Sequence, residues 1–393
     1  MKLSYISPSN LPSRTANSIH VIMQCKAFSD IGLKVTLYAK RKYAEQQKTL
    51  LKIKEYYGVD LESAGIELVS CYNASTKAEN LLIAFMAIIN LLKRNGLKRN
   101  KNEIIISRNL YASFLLGIIF KNKILFETHQ LENGIKKYLQ NKLINAPWIK
   151  TIVISKKMID CLKEHHKCRI KNAYVLHDAA PDGIMPLDNP FEREIILSKI
   201  LPNYHEKKWK AICGYFGQLY EGRGIDIIEK MAYFQPEVLF LVVGGNSSEV
   251  NKRHHKIKLD NAVYTGHLPY SKVQKLMKAV DILLMPYQKK VSIGAKGHDT
   301  AKWMSPIKMF EYMASSVPII TSNLDVLKEV LIDEVNALMV PPDNLQAWQN
   351  ALIRLVENKE LAKNIGKQAH DDYKNNYTWS QRAYRLLAVA KSF

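Results

Sequence analysis

The chain has 393 residues, 47% hydrophobic and 24% charged, a composition that indicates a soluble globular protein of two or three domains and excludes a fibrous or disordered chain. Its five cysteines form no CxxC pair, so we expect a reducing compartment and no disulfide framework. The longest apolar run, residues 81–92, is shorter than the about 20 residues of a transmembrane helix, and no signal peptide is evident. These features predict a cytoplasmic protein.

The net charge of +21 is concentrated in the first half of the chain. Residues 1–180 carry 29 Lys and Arg against 13 Asp and Glu, whereas residues 181–393 carry 28 against 23. This bias indicates an anionic partner, either an acidic substrate, an anionic membrane or nucleic acid, unless the charge only solvates the surface. Nucleic acid is not expected, because aromatic residues are not interleaved with base-reading side chains.

The first half alternates short apolar runs with helical patterns. Residues 3–7 predict a strand that ends in a Ser-Pro-Ser-Asn turn, and residues 17–31 predict a helix that ends at Gly32. Further strands are predicted at 34–39, 66–69, 103–107, 123–127, 151–155 and 173–176, with helices such as 79–93 and 156–165 between them. This alternation predicts a parallel sheet covered on both faces.

The second half repeats the alternation from about residue 210. Strands are predicted at 211–216, 239–243, 262–265, 281–285, 318–321 and 337–340, and helices at 224–234, 270–279, 306–315 and 324–331. Residues 178–189, with two prolines, form the expected hinge. The sequence therefore predicts an α/β protein with Rossmann-like domains at 1–180 and 181–375, each binding ligands at the carboxyl ends of its strands.

One segment, SPIKMFE, predicts the start of a helix that can bind an anion. Ser305 is a good N-cap, and Pro306 suits the first helical position. The amides of Ile307 and Lys308 would then point out of the helix, where the helix dipole and the Lys308 charge favour a phosphate. Glu311 shares a face with Lys308 and could accept hydrogen bonds from a sugar diol. The alternative is an ordinary capped helix with a surface Lys–Glu pair.

A glycine-rich loop follows the strand predicted at 211–216. It reads Gly217-Gln-Leu-Tyr-Glu-Gly-Arg-Gly224 and opens the next helix. Glycines let a backbone approach a ligand closely, and Arg223 can donate two hydrogen bonds to a phosphate. By itself, a glycine-rich turn with an exposed arginine is common.

The two segments together resemble the retaining glycosyltransferases of the GT-B fold, in the large family numbered four (glycosyl transferases group 1). That family typically has G-R-L-x-x-x-K-G in the loop and S-P-L-K-x-x-E-Y-M-A at the helix start, where this chain has SPIKMFEYMAS at 305–315. The resemblance extends to residues 281–286, 336–343 and 377–379. It implies two doubly wound domains facing each other across a cleft, with residues 376–393 crossing back to the first domain as a helix.

The resemblance implies a nucleotide-sugar site in the second domain. Its candidate residues follow the predicted strands or begin the helix at 306: Gly217, Gln218, Arg223, His267, Leu268, Ser305, Ile307, Lys308 and Glu311. Arg223, Lys308 and Glu311 are also expected to take part in catalysis.

In the first domain the resemblance implies a histidine that faces the transferred sugar. His129 of the segment FETHQ is the candidate, with Glu127 as a weaker one. A histidine at the end of a strand can hydrogen-bond a hydroxyl or exchange a proton near neutral pH, although a packed loop histidine is the alternative. The loop at 7–17 is expected to touch the acceptor or the donor phosphate, and Ser18 and His20 are weaker candidates.

The chain departs from the family pattern at two positions. Gln218 stands where the family has a basic residue, which removes one phosphate contact. Trp303 stands where many members have the first of two glutamates, near the transferred sugar. Asp299 or a backbone group would replace that glutamate, or the donor differs.

No metal site is expected. The C-x3-H-H-x-C arrangement of Cys161, His165, His166 and Cys168 lacks a second ligand pair, and a solvated helix end explains it better. An Asp-x-Asp motif for a metal-bound diphosphate is not evident either. Helix amides and basic side chains would therefore replace the cation, and no cofactor is expected besides the donor substrate.

These features predict a metal-independent, retaining transferase that moves a sugar from a UDP- or GDP-linked donor to a glycan or lipid-linked acceptor, in bacterial surface polysaccharide or glycoconjugate synthesis. The alternatives are a non-catalytic glycan- or membrane-binding subunit, and an epimerase or phosphorylase on the same fold. The apolar run at 81–92 precedes Lys93, Arg94, Lys98, Arg99 and Lys101. That arrangement suits either attachment to the inner face of a membrane or a core helix with a solvated tail.

Overall fold

The computed structural model describes residues 1–73, 78–95, 103–201, 208–256, 259–292 and 299–393. It divides into two compact units. The first comprises Met1–Asp178 with Trp379–Phe393, and the second comprises Ala179–Thr378. Among the predicted basic residues after the apolar run, Lys98, Arg99 and Lys101 lie outside the described residues.

The first unit is built on a seven-stranded sheet in the order β3-β2-β1-β4-β5-β6-β7. All the pairs are parallel, and β5 and β6 are buried along their whole length, as expected for strands covered on both faces. The strands are β1 (Lys2–Leu11), β2 (Lys34–Arg41), β3 (Ile66–Tyr72), β4 (Glu103–Ser107), β5 (Ile124–Thr128), β6 (Ile149–Val153) and β7 (Ala173–Val175). The helices are α1 (Ala16–Asp30), α2 (Gln46–Tyr57), α3 (Glu79–Asn95), α4 (Leu110–Phe114, continued by a π-helical turn at Leu115–Ile119), α5 (Ile135–Asn145), α6 (Lys156–His166) and the last helix of the chain, α14 (Trp379–Lys391).

The second unit is built on a six-stranded parallel sheet in the order β10-β9-β8-β11-β12-β13. The strands are β8 (Ala211–Phe216), β9 (Val238–Val243), β10 (Ala262–Gly266), β11 (Ile282–Met285), β12 (Ile319–Ser322) and β13 (Leu338–Val340). The helices are α7 (Pro190–Ser198), α8 (Ile225–Phe234), α9 (Ser247–Lys256), α10 (Tyr270–Ala279), α11 (Ile307–Ala314), α12 (Leu345–Glu357) and α13 (Lys359–Asn376). The predicted α/β class of two doubly wound, Rossmann-like sheets is confirmed.

Two apolar layers hold the second sheet, one on each face. Along β9, Leu239 and Leu241 pack into one layer with α10 and α11, whereas Phe240 and Val242 pack into the other with α8 and α12. This alternation follows from the period of two residues in a strand. It fixes α11 against the sheet by a face that includes Phe310, so the start of the helix is held in place.

Several predicted boundaries differ from the structure, among them those of β1, of the helix predicted at 324–331 and of α11. β1 continues to Leu11 through the predicted turn, because a register shift after Ile6 lets the strand pass Pro8 and pair again with β2. The helix predicted at 324–331 is only a 3₁₀ turn at Leu327–Glu329. α11 begins at Ile307, one residue later than predicted.

Among the described residues, no helix combines the length and the apolar character needed to cross a bilayer.

Candidate functional site

The carboxyl ends of β8 and β11 lie side by side where the strand order of the second sheet changes direction. Ligands of doubly wound sheets bind at such a switch point, outside the carboxyl ends of the strands. The loops after β8, β9 and β10 are tied together at this edge, because the Gly217 amide donates to the Val243 carbonyl (2.9 Å) and the Gly244 amide to the Gly266 carbonyl (2.8 Å). His267 and Leu268 follow β10 and therefore lie at the same edge.

The glycine-rich loop after β8 is packed directly against the loop after β11. Gly222 and Gly224 both have φ of +80°, and a Cβ on either would lie 1.9 Å from a backbone carbonyl oxygen, that of Lys290 or Pro286. The Gln288 amide donates to the Gly222 carbonyl at 2.9 Å, which joins the two loops. Gly222 and Gly224 are thus required because the backbones of the two loops approach each other closely. Arg223 lies between these two glycines and is held in place by them.

Gly244 offers a sharp test of this packing. It has φ of +132°, and a Cβ there would lie 1.9 Å from the Gly217 carbonyl oxygen, so Gly244→Ala should destabilise the second unit by several kcal/mol. Gly266 has φ of +68° with no atom within 4 Å of its Cβ position, so Gly266→Ala should cost only about 1–2 kcal/mol. Urea unfolding of both variants checks this, and equal losses would contradict it.

Lys308, in the first turn of α11, has a buried ammonium group without a hydrogen-bond partner. Its Nζ atom lies 4.0 Å from the centre of the Tyr215 ring and 5.1 Å from that of Tyr287. Burial, and then the charge of Arg223, lowers the pKa of Lys308 well below its ordinary value, and Glu311 offsets only part of this. An unpaired buried amine is costly unless a ligand supplies an acceptor. This position therefore suits an anionic ligand.

Gly217 is the residue that makes room for this ammonium group. A Cβ on Gly217 would lie 2.8 Å from Lys308 Nζ and 3.3 Å from Tyr215 Oη. The glycine-rich loop and the start of α11, which lie far apart in the chain, therefore meet at one point, as the sequence predicted.

Arg223 supplies a second positive charge beside Lys308. Its Nη1 atom donates to Tyr287 Oη at 2.9 Å, and its guanidinium carbon lies 5.2 Å from the centre of the same ring. The Nε atom of Arg223 is buried without a partner. Two cations held over tyrosine rings, each with an unsatisfied donor, form a site suited to a doubly charged ligand such as a diphosphate.

Glu311 lies one turn after Lys308 and is only 7% exposed. Its Oε1 atom accepts a hydrogen bond of 2.5 Å from Tyr270 Oη, at the start of α10. Burial raises the pKa of Glu311 to about 7, with the Tyr270 hydrogen bond and the Lys308 charge acting in the opposite direction. Near neutral pH this carboxyl group can therefore accept or donate a hydrogen bond.

The start of α11 differs from the prediction in its cap. Pro306, not Ser305, is the N-cap, with an extended backbone and a carbonyl that accepts from the Met309 amide at 2.9 Å. Ser305 is buried just before it. The amides of Ile307 and Lys308 nevertheless lie in the first turn, where no carbonyl of the same helix can reach them. The predicted anion-binding amides keep their place although the cap residue was wrong.

The residues that were expected to weaken or replace family contacts have local partners. The backbone carbonyl of Gln218 accepts a hydrogen bond from Tyr215 Oη at 2.7 Å. Asp299 Oδ1 accepts from the amides of Val291 and Ala301, both at 2.9 Å. These contacts give Asp299 a structural role.

In the first unit, Glu127 is the centre of a buried polar network. Its Oε1 atom accepts from His129 Nε2 at 2.8 Å and from Arg382 Nη2 at 2.7 Å, and its Oε2 atom accepts from Tyr5 Oη at 3.0 Å. Burial by itself would raise the pKa of Glu127, but Arg382 and then His20 outweigh it and hold the pKa well below its usual range. Glu127 is therefore an ionised anchor for the residues around it.

His129 is held by both of its ring nitrogens. Arg108 Nη2 lies 2.9 Å from Nδ1, and because a guanidinium only donates, Nδ1 is the acceptor. Nε2 therefore carries the proton and donates a hydrogen bond to Glu127. Burial and the Arg108 charge lower the pKa of His129 to about 4. The expectation that His129 exchanges a proton near neutral pH is therefore wrong, whereas its contact with the sugar stays a prediction.

His20 bridges two carboxylates of the same network. Its Nδ1 atom lies 2.6 Å from Asp178 Oδ1, and its Nε2 atom lies 3.1 Å from Glu127 Oε1. Among the described residues, His20, His129 and Asp178 are the group whose atoms lie close enough to bind a metal ion. His20 Nδ1 and both ring nitrogens of His129 already take part in hydrogen bonds, so a cation would have to displace part of this network.

The Cys–His segment that resembles a metal motif also has protein partners. His165 Nε2 lies 2.7 Å from the Glu132 carbonyl, and His166 Nε2 lies 2.9 Å from Gln140 Oε1. These contacts tie α6 to α5 and to the segment just before it, and they give the two histidines a structural role.

Arg382 is the residue whose removal should most disturb the first unit. Arg382→Met leaves Glu127 ionised and buried without its strongest partner, which should cost about 3–5 kcal/mol of unfolding free energy at pH 7. The pKa values of Glu127 and Asp178 are lowered by folding, so this stabilisation is present above about pH 4.5 and is lost as the pH falls further. Chemical unfolding from pH 7 to pH 3 measures both effects.

A matched control is Lys26→Met, which removes the exposed Lys26–Asp30 pair of 2.6 Å on α1. It should change stability by no more than about 1 kcal/mol. Equal losses in the two variants would contradict a special role for Arg382.

Sequence analysis missed four tyrosines and two arginines of these clusters, among them Tyr5, which bonds to Glu127, and Arg108, which bonds to His129. Tyr215 and Tyr287 line the Lys308 ammonium, Tyr270 bonds to Glu311, and Arg382 bonds to Glu127. The positions of Tyr215 and Tyr287 at or just after strand ends were the available signal. For Tyr270 and Arg382 no local pattern marks the contact, because it joins segments far apart in the chain.

Comparison with known proteins identifies the domain that holds this site. Residues 210–358 match the family model of glycosyl transferases group 1. A protein of Methanocaldococcus jannaschii named as an uncharacterized glycosyltransferase is 26% identical over 304 residues, which cover 71% of this chain and 72% of that protein. Most of the second unit is therefore similar to the glycosyl transferases group 1 domain.

Solved structures show the same fold over the whole chain. HepE of Anabaena, crystallised with UDP and glucose, has a TM-score of 0.73 at 14% identity, with both chains fully covered. A glycosyltransferase of Rickettsia africae has a TM-score of 0.74 at 16% identity, covering 100% of this chain and 98% of that one. The two sheets of this chain therefore have the fold of GT-B glycosyltransferases.

Proposed function

We propose that the protein is a glycosyltransferase that binds a nucleotide-diphosphate sugar at the start of α11. The observation that carries this proposal is the buried, unpartnered Lys308 ammonium beside Arg223, with Glu311 one turn further along the helix. HepE has been crystallised with UDP and with UDP-glucose. A UDP-linked donor is therefore the first candidate and a GDP-linked donor the second.

In the proposed reaction the protein stabilises the leaving diphosphate. The amides of Ile307 and Lys308 with the two cations would hold the negative charge that develops as the bond from the sugar to the diphosphate breaks. Glu311 would accept hydrogen bonds from the ribose diol. The acceptor hydroxyl would form the new bond on the same face and give its proton to the departing diphosphate, so the product retains the anomeric configuration. The positive side chains take the place of a metal ion.

We further propose that the first unit binds the acceptor, a glycan or a lipid-linked sugar, at a cytoplasmic membrane face in bacterial surface polysaccharide synthesis. Its excess of basic residues suits an anionic acceptor or an anionic lipid surface. His129, neutral and fixed by two hydrogen bonds, would orient a sugar hydroxyl and would not transfer a proton.

The deciding experiment is a panel of UDP- and GDP-linked sugars, with product release measured with and without EDTA. Release of UDP or GDP with a new glycosidic bond supports the proposal, and NMR of the product reports the anomeric configuration. Binding of UDP without turnover on any acceptor would favour a non-catalytic subunit. Conversion of a donor to its epimer would favour an epimerase.

A further inference from the structure

Helix α3 is apolar on two opposite faces. One face is buried against β1, β2 and β3 and includes Ile83, Ala84 and Ala87. The other face exposes five large apolar side chains: Leu81, Leu82, Phe85, Ile89 and Leu92. A surface helix ordinarily turns a polar face to solvent, so this second apolar face is unusual. The prediction of a core helix with a solvated tail thus describes only one of its two sides.

The exposed residues form one stripe along the helix. At 3.6 residues per turn their positions fall within about 100° of arc, and no charged residue between 81 and 92 interrupts it. Phe85 and Ile89, in the middle of the stripe, are each 52% exposed. Lys93, also exposed, flanks the stripe at its carboxyl end.

The neighbouring helices repeat the same combination of apolar and basic side chains. α4 packs against both α3 and α5, so the three helices lie side by side in the first unit. Ile119 and Phe120 are exposed after α4 and are followed by exposed Lys121 and Lys123. On α5, Ile135 and Tyr138 are exposed beside Lys136. Each helix of this layer thus presents apolar side chains next to lysines.

We propose that the exposed face of α3, with the lysine-bearing ends of α4 and α5, is a docking surface for an anionic lipid bilayer. Apolar side chains entering the acyl boundary and lysines at the level of the headgroups are the two parts of interfacial binding. A charge excess in the same half of the chain complements anionic lipid, whereas a second copy of this basic surface would repel it. The inference extends the membrane association proposed above by naming the surface that makes it.

The test is co-sedimentation of the full-length protein with phosphatidylcholine vesicles, with and without phosphatidylglycerol. Wild-type protein should sediment only with the anionic vesicles, and less so as salt rises. The double variant Phe85→Asp and Ile89→Asp should weaken sedimentation by at least about tenfold. Phe234→Asp is the matched control, because Phe234 is 56% exposed on α8 of the second unit. This variant should bind the vesicles as wild type does.

A second pair of variants separates the electrostatic part. Lys93→Gln with Lys136→Gln should weaken binding and lower its salt dependence, because both lysines are exposed beside the apolar residues. UDP binding, measured by calorimetry on the same samples, should be unchanged in every variant. Wild-type protein that sediments with anionic vesicles but does not bind UDP would reject the donor site and still support this docking surface.

Three results would overturn the proposal. In the first, wild-type protein does not sediment with anionic vesicles. In the second, Phe234→Asp weakens binding as much as the double variant does. In the third, gel filtration shows a dimer that the double variant dissociates, which would make α3 a contact between copies of the chain.

Discussion

Replacing Lys308 with methionine is expected to abolish tight UDP binding while leaving the fold at least as stable. In the free protein the ammonium is buried without an acceptor, so removing it should raise the unfolding free energy by about 1–3 kcal/mol. In the complex the same group would pair with the diphosphate. Its loss should lower transfer by about 100- to 1,000-fold. Calorimetry with UDP and urea unfolding of the free protein measure the two effects.

A gain in stability together with a loss of UDP binding distinguishes a lysine that binds a ligand from one that stabilises the fold. Lys289→Met is the control, because Lys289 is exposed and pairs with Asp343 at 2.7 Å on the surface of the same unit. It should leave both UDP affinity and stability nearly unchanged. Lys308→Met with normal UDP affinity, or with a large loss of stability, would reject the proposed diphosphate site at Lys308 and Arg223.

Replacing Glu311 should have the next largest effect on transfer. Glu311→Ala removes the carboxylate proposed to hold the ribose diol and should lower transfer by about 100-fold or more with the fold intact. Glu311→Gln keeps a hydrogen-bond acceptor for Tyr270, so it should preserve the position of α10 better than alanine does. Steady-state kinetics of both variants check this, and near-normal activity of Glu311→Ala would remove Glu311 from the site.

The raised pKa of Glu311 also predicts how stability depends on pH. Folding raises this pKa from 4.5 to about 7, so the folded state binds more protons in that window. The unfolding free energy contributed by Glu311 is therefore fully present below pH 4.5 and falls as the pH rises through 7, by about 3 kcal/mol in total. Glu311→Gln should remove this fall and should be more stable than wild type at pH 8.

Unfolding curves of wild type and Glu311→Gln at several pH values measure the difference directly. Glu334→Gln is the control, because Glu334 is exposed, pairs with Arg354 and has a lowered pKa. It should give no gain in stability at pH 8. If the difference in unfolding free energy between wild type and Glu311→Gln is the same at pH 5 and at pH 8, this would contradict a buried Glu311 with a raised pKa.

The sequence by itself determined the alternation of strands and helices, the two parallel sheets and the helix that begins near residue 306, whose binding of a phosphate stays a prediction. These features are local, because periodicity, caps and glycines act over a few neighbouring residues. Boundaries that depend on pairing partners were less predictable. β1 runs on to Leu11 because β2 is there to pair with it, and the eight residues at 324–331 form only a 3₁₀ turn.

Tertiary structure alone decided how the charged groups are paired. The sequence left two interpretations of Lys308 open, an anion site or a surface Lys–Glu pair. In the structure Tyr215, Tyr287 and Gly217 enclose its ammonium and leave it without an acceptor. In the same way, Arg382 reaches Glu127 across 255 positions of sequence, and burial with the Arg108 charge lowers the pKa of His129. The physical reason is that burial and pairing of a charge depend on residues distant in the chain, which no local pattern encodes.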